Sequence, residues 1–106
     1  MTEAEFQSIL ITNAQIEGFV AIKLDPGTGT IPKGWPDLVI LQPDGYTLWV
    51  EVKAAGGRVA PQQRRHMLLL ASAGHHACFV DPRPDYCCPV PMTYRELETY
   101  EPPRRP

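Results

Sequence analysis

Apolar positions recur along this chain in two rhythms, and the changes of rhythm divide it into elements. Phe6, Ile9, Leu10 and Asn13 fall on one helical stripe, with Ile16 at its margin. Thr2 followed by Glu5 makes a capping box ahead of that stripe, with Thr2 as N-cap and Glu5 at N3. The spacing predicts a first helix from about Glu3 to Glu17, stopped at Gly18. Phe19 to Leu24 is short, apolar and partly β-branched, which predicts a strand. Asp25 to Gly34, DPGTGTIPKG, carries three glycines and two prolines and reads as a long loop.

Leu38 to Leu41 is an apolar run too short for a helix, and Tyr46 to Lys53 is rich in aromatic and β-branched residues. Between them Pro43-Asp44-Gly45 has turn chemistry, because proline presets φ and glycine accepts positive φ. The two runs predict an antiparallel hairpin, ended by Ala54 to Gly57. Pro61 suits a helix N1 position, and Gln62 to Ala73 reads as a second helix ending at Gly74. His76 to Asp81 is a last strand. Asp81 to Pro91 is proline-rich and irregular, Thr93 and Glu96 form another capping box before a short final helix, and EPPRRP is a tail. The order is α-β-β-β-α-β-α. With the last strand returning parallel to an inner one, it gives an α/β fold with a central mixed sheet flanked by helices. Residues 1–100 read as one domain and 101–106 as its tail.

Composition adds limits. A chain of 106 residues with 43% apolar and 21% charged residues is globular and long enough for one modest core. No 18-residue apolar run exists, and MTEAEFQ lacks the basic start and apolar stretch of a signal peptide, so a cytoplasmic protein with no membrane partner is expected. Three cysteines without regular spacing make a poor disulfide framework. The net charge of −2 is unevenly spread: residues 1–30 sum to −3, 31–66 to +2 and 67–106 to −1. The positive region is compatible with phosphate binding.

That region also holds the unusual chemistry. Alternation puts Trp49, Glu51 and Lys53 on one strand face and Leu48, Val50 and Val52 on the other. In a hairpin the start of the first strand lies beside the end of the second, so Asp37 is a neighbour of Glu51 or Lys53. Burying three charges costs several kcal/mol each unless they are compensated. A divalent cation such as Mg²⁺ is one compensation, held by Asp37, Glu51 and the Val52 carbonyl. Ordinary readings compete residue by residue. Asp37 alone is a turn residue, Glu51 with Lys53 an exposed edge-strand ion pair, and Gln63 a helix-surface residue. Zinc finds no support among His66, His75, His76, Cys78, Cys87 and Cys88, which form no CxxC or HxxxH spacing. Trp35 and Trp49 read as packing before base stacking, and Gly27-Thr28-Gly29-Thr30 lacks the GK[ST] of a phosphate loop.

Pro36-Asp37 followed by Glu51-Val52-Lys53 resembles the PD-(D/E)XK nuclease signature. With the leading TEAEFQ, Gly34, the segment Gly57 to Gln63 and a helix ending in Ala73-Gly74, the set is similar to the virus-type replication-repair nuclease (VRR-NUC) domain over residues 2–81. The resemblance implies a restriction-endonuclease-like α-β-β-β-α-β core. It implies metal ligation by Asp37 and Glu51, a catalytic Lys53 and a supporting glutamine, best matched by Gln63. Of the two first-helix acids, Glu3 is preferred because Glu5 already serves the capping box. The family usually has Ser or Thr where this chain has Ala60, so a helix-capping hydroxyl is missing. Also implied are Mg²⁺ or Mn²⁺ as cofactor and DNA as substrate. Structure-directed cutting of branched DNA, pairing as a homodimer and a bacterial or phage-infected cell follow as expectations. Lys33 and Arg58 in flanking loops, with Arg64 and Arg65 near a helix N-terminus, are the candidate nucleic-acid-binding cations. The competing functions are a non-catalytic nucleic-acid-binding module and a small interaction protein with salt-bridged strand ends.

Overall fold

A computed structural model describes residues 1–82 and 89–104. Its elements are α1 (Glu3–Ile16), β1 (Val20–Lys23), β2 (Leu38–Leu41), β3 (Thr47–Val52), α2 (Pro61–Ser72), β4 (His76–Val80) and α3 (Tyr94–Thr99). All seven expected elements are present, in the expected order. Residues 83–88, with Cys87, Cys88 and the core of the proline-rich stretch, lie outside the described residues, as do the last two residues of the tail.

The strands form one mixed sheet in the order β1-β2-β3-β4. β1 pairs antiparallel with β2, β2 antiparallel with β3, and β3 parallel with β4. A parallel neighbour requires a crossover, and α2 is that crossover. The turn at Pro43 to Gly45 sets Leu38 opposite Val50 and Leu41 opposite Thr47. Continuing this register one step places Asp37 opposite Glu51, which settles which of the two strand-end charges it meets.

β3 is therefore an inner strand, not an edge. One face of the sheet packs Leu38, Ile40, Leu48, Val50, Val52, Cys78 and Val80 against Phe6, Leu10 and Ala14 of α1. The other packs Ala77 and Phe79 against Met67 and Leu70 of α2 and Leu97 and Tyr100 at α3. Each Val, Leu, Ile, Met or Phe among them contributes about 1.5–3 kcal/mol of burial. β1 is one edge of the sheet, and its Val20 and Ile22 side chains remain exposed.

Candidate active site

Alternation along β3 aims Val50 and Val52 at α1 and sends Glu51 and Lys53 to the α2 side. Both charges are nearly inaccessible there, Glu51 at 2% and Lys53 at 5% exposure. This rules out the exposed edge-strand ion pair. Asp37, at the head of β2, turns its carboxylate across the hairpin, where Oδ2 accepts from the Val52 N–H at 2.9 Å. The first turn of α2 closes the cluster. Gln63 Nε2 donates to Glu51 Oε2 at 3.1 Å, and Lys53 Nζ donates to Gln63 Oε1 at 2.7 Å. Lys53 Nζ also lies 3.6 Å from Glu51 Oε2.

Gln63 has a further duty. Its Oε1 accepts from the Ala60 N–H at 3.0 Å, the side-chain half of a capping box. Alanine has no hydroxyl with which to complete the other half. One amide thus caps the helix and joins the acid to the lysine, so Gln63 is not merely a helix-surface residue.

Glu3 reaches the site from α1: its Oε2 accepts from the Ala54 N–H at 3.2 Å, just past Lys53. Glu5 is instead occupied with Thr2, in the capping box read from the sequence. The geometry thus separates the two first-helix acids. Sequence reasoning misses Gln7, one helical turn beyond Glu3. Its Oε1 is buried without a hydrogen-bond partner among the described residues, and it borders a cleft shared with Asp37. The i, i+4 spacing from Glu3 was the available signal.

The electrostatics are those of a crowded acid pair. Burial pushes the Glu51 carboxyl up to about 9, with the neighbouring Asp37 charge adding to the rise and Lys53 opposing it. Burial also raises Asp37, against the pull of the Val52 N–H. Two carboxyls this close and this dry hold a proton between them near neutral pH. Among the described residues no group of three or more His, Cys, Asp or Glu is placed to hold a metal unaided. Mg²⁺ needs no such group, since one or two carboxylates with waters and substrate phosphates suffice. A buried acid pair served by a single lysine fits a divalent cation, whose charge would replace the shared proton.

The expected basic residues divide. Lys33 lines a cleft with Trp35, Asp37, Gln62 and Gln63. Arg58 and Arg65 are exposed, five residues after Lys53 and two after Gln63. Arg64 is turned the other way. Its guanidinium donates to the carbonyls of Leu97, Glu98 and Tyr100 at 2.8, 3.1 and 2.9 Å and to Glu101 Oε1 at 2.9 Å. It also lies 6.0 Å from the centre of the Phe79 ring. These bonds cap the C-terminal end of α3, so Arg64 ties two helices together and its donors face α3. The tail helps: the Gly56 N–H donates to the Pro103 carbonyl at 2.8 Å, and Tyr100 Oη to Asp81 Oδ2 at 2.6 Å. The stretch from Thr93 to Pro103 therefore braces the loop after β3 and the start of α2, the two segments that carry Lys53 and Gln63.

The remaining candidates pack. Trp35 stacks on His66 with ring centres 4.2 Å apart, Tyr46 stacks on His76 at 4.3 Å, and Trp49 meets His75 edge-on. Cys78 is in the core, its thiol pushed up to about 12 by burial. Among the described residues no helix is long and apolar enough to cross a membrane.

Residues 12–81 match the VRR-NUC domain family. A solved structure described as a VRR_NUC domain is similar over 91% of this chain and 89% of that one, with 22% identity and a TM-score of 0.62. At that identity the likeness speaks for the fold. SfsA of Pyrococcus furiosus, solved with Ca²⁺, aligns over 88% of this chain and 45% of its own, at 22% identity and a TM-score of 0.49. No curated protein matches. The matched segment includes Asp37, Glu51, Lys53 and Gln63 and leaves Glu3 and α3 outside it. The match spans well over half of the chain, which belongs to the VRR-NUC family of nuclease-type domains.

Proposed function

We propose that this protein is a metal-dependent endonuclease that hydrolyses phosphodiester bonds in DNA, with a preference for branched or junction substrates. The observation that carries the reading is the buried Asp37–Glu51 pair, joined through Gln63 to an equally buried lysine. A core has no use for such a set, because each buried charge costs several kcal/mol.

Asp37, Glu51 and the Val52 carbonyl would hold Mg²⁺ or Mn²⁺. The bound ion would supply Lewis-acid polarisation of the phosphate and a more acidic water. The protein supplies the remainder. Gln63 fixes the orientation of the Glu51 carboxylate and of the Lys53 ammonium. Lys53 orients the attacking water and offsets the charge that develops on phosphorus. Glu3 holds the backbone just after Lys53, which keeps the lysine at its place. Lys33, Arg58 and Arg65 neutralise flanking phosphates. Contacts from these cations go to phosphates, which carry the shape of the backbone and not its base sequence, and this favours recognition of DNA shape. Two copies pair through the open β1 edge, where Val20 and Ile22 are exposed; sedimentation of a Val20→Lys variant as a monomer would support that arrangement.

The test is cleavage of labelled single strand, duplex, flap and four-way junction with Mg²⁺, with Mn²⁺ and with EDTA. Metal-dependent cutting that Lys53→Ala loses supports the reading, and the panel ranks the substrates. Binding of DNA with no cutting under any condition would instead favour a non-catalytic binding module.

A further inference from the structure

Asp37 borders two clefts. One, of about 250 Å³, lies at the start of α2 and is lined by Lys33, Trp35 and Gln62. The other, of about 390 Å³, lies against α1 and is lined by Gln7, Lys23, Asp25 and Thr28. Pro26 also borders both, so the clefts adjoin at Asp37 and run past the proposed metal ligand on two sides.

The second cleft holds a group that the catalytic reading leaves unused. Gln7 Oε1 is buried and has no hydrogen-bond partner among the described residues. Folded proteins rarely leave a buried amide oxygen unsatisfied, and such an atom calls for a ligand or water to complete it. Gln7 sits one turn from Glu3 on the side of α1 that faces the site, since Glu3 bonds the Ala54 N–H. Across the cleft, Lys23 Nζ lies 3.5 Å from Asp25 Oδ1, with both side chains more than half exposed. An exposed pair of that kind is weak and exchanges readily for a phosphate. Each cleft therefore pairs a single lysine with glutamine amides, Lys23 with Gln7 in one and Lys33 with Gln62 and Gln63 in the other.

We infer that the two clefts are halves of one nucleic-acid strand path across Asp37, and that the α1 cleft is a binding subsite for the nucleotide on one side of the scissile phosphate. Lys23 neutralises that nucleotide's phosphate, and the Gln7 amide hydrogen-bonds its sugar or base edge. A cation at either side of the reacting centre is the pattern of a groove that tracks a single backbone, and a cleft of about 390 Å³ takes one nucleotide unit, not a duplex. This inference rests on the nuclease reading and names the residues with which that site would grip its substrate.

The experiment titrates a fluorescein-labelled single-stranded 12-mer into the metal-free full chain at several salt concentrations, and measures metal-dependent cutting of the same strand. Lys23→Ala should weaken binding about tenfold and reduce the slope of log K against log salt by about 0.7, the loss of one phosphate contact. Gln7→Leu should weaken binding about tenfold, the loss of one hydrogen bond, and leave the slope unchanged. In cutting, both should raise KM and spare kcat. Gln7→Glu, which keeps shape and repels phosphate, serves if Gln7→Leu does not fold.

If wild type cuts, Lys53→Ala does not, and the Lys23 and Gln7 variants bind as wild type, the path is refuted and the nuclease reading stands. If wild type binds the strand but cuts neither it nor any duplex, flap or four-way junction, the nuclease reading falls; the variant effects then still support a strand path. Failure of wild type to bind the strand overturns the path, and the nuclease reading falls with it only if the flap and the four-way junction also stay uncut.

Discussion

Val50 and Glu51 are neighbours in β3 and equally buried, at 0% and 2% exposure, yet they sit in opposite worlds. Val50 enters an all-apolar layer between the sheet and α1. Glu51 enters a layer where Asp37, Lys53 and Gln63 answer it with hydrogen bonds and charge. One face of the strand stabilises the fold, and the other draws on that stability to hold a buried charged cluster. Burial alone therefore does not identify a core position; what the side chain meets does.

The sharpest way to test the contrast is to remove the charges together. In the double variant Glu51→Leu, Lys53→Met, the site face becomes a second apolar layer. Replacing a buried ion pair by apolar residues of similar volume is often neutral or stabilising by about 1–4 kcal/mol. The metal-free melting temperature should hold or rise, while cleavage falls by at least about 10²–10³-fold, as when one charge-stabilising group is lost from an active site. A large loss of melting temperature would mean that the charges help to hold the fold together.

On the opposite face the expected effects change places. Leu48→Ala deletes a side chain that is 1% exposed in the α1 layer, and should cost about 2–5 kcal/mol in denaturant unfolding. Cleavage per folded molecule should stay near wild type at low temperature. Lost activity in a fully folded Leu48→Ala protein would show that the two faces are coupled through β3.

pH separates the faces as well. The folded Glu51 carboxyl is raised to about 9 from an ordinary 4.5, so the folded chain binds the extra proton between those limits. Stability from this group is fully present below about 4.5 and is lost as pH rises through about 9. The slope approaches about 1.4 kcal/mol per pH unit for one whole proton. Glu51→Gln should flatten that decline in urea melts of the metal-free protein. Saturating Mg²⁺ should reverse it in wild type only, because on the proposed reading the ion would bind the deprotonated pair.

The fold was largely legible because its signals are local. The capping boxes at Thr2 and Thr93, the turn at Pro43 to Gly45 and the periodicity of each run survive without knowledge of neighbours. The acid–acid–lysine set was legible too, since strand alternation and a short turn bring Asp37 to Glu51. Arg64 was not, because its partners lie more than thirty residues away on α3, and a cation near a helix N-terminus looks the same whether it faces phosphate or a neighbouring helix. Gln7 was only half legible: its i, i+4 spacing from Glu3 is in the sequence, but that its amide oxygen is buried and unpartnered beside the cleft it shares with Asp25 and Thr28 is not. Docking of distant elements decides both cases, and periodicity carries no information about docking.

The smallest expected effect is at the joint between the two uses of Gln63, as cap and as part of the site. The α1 and α3 helices open with complete capping boxes, whereas α2 has only the half supplied by Gln63. Ala60→Ser adds the missing hydroxyl, within reach of the Gln63 N–H. A new N-cap bond is worth about 1 kcal/mol, or about 4–8 °C in melting temperature for a domain near this size. Cleavage should stay unchanged, because the serine bonds to the Gln63 backbone and leaves its amide on Glu51 and Lys53. If the melting temperature rises and cleavage falls, the half-open cap is itself functional: the slack it leaves in the first turn of α2 is what lets Gln63 serve the acid and the lysine together.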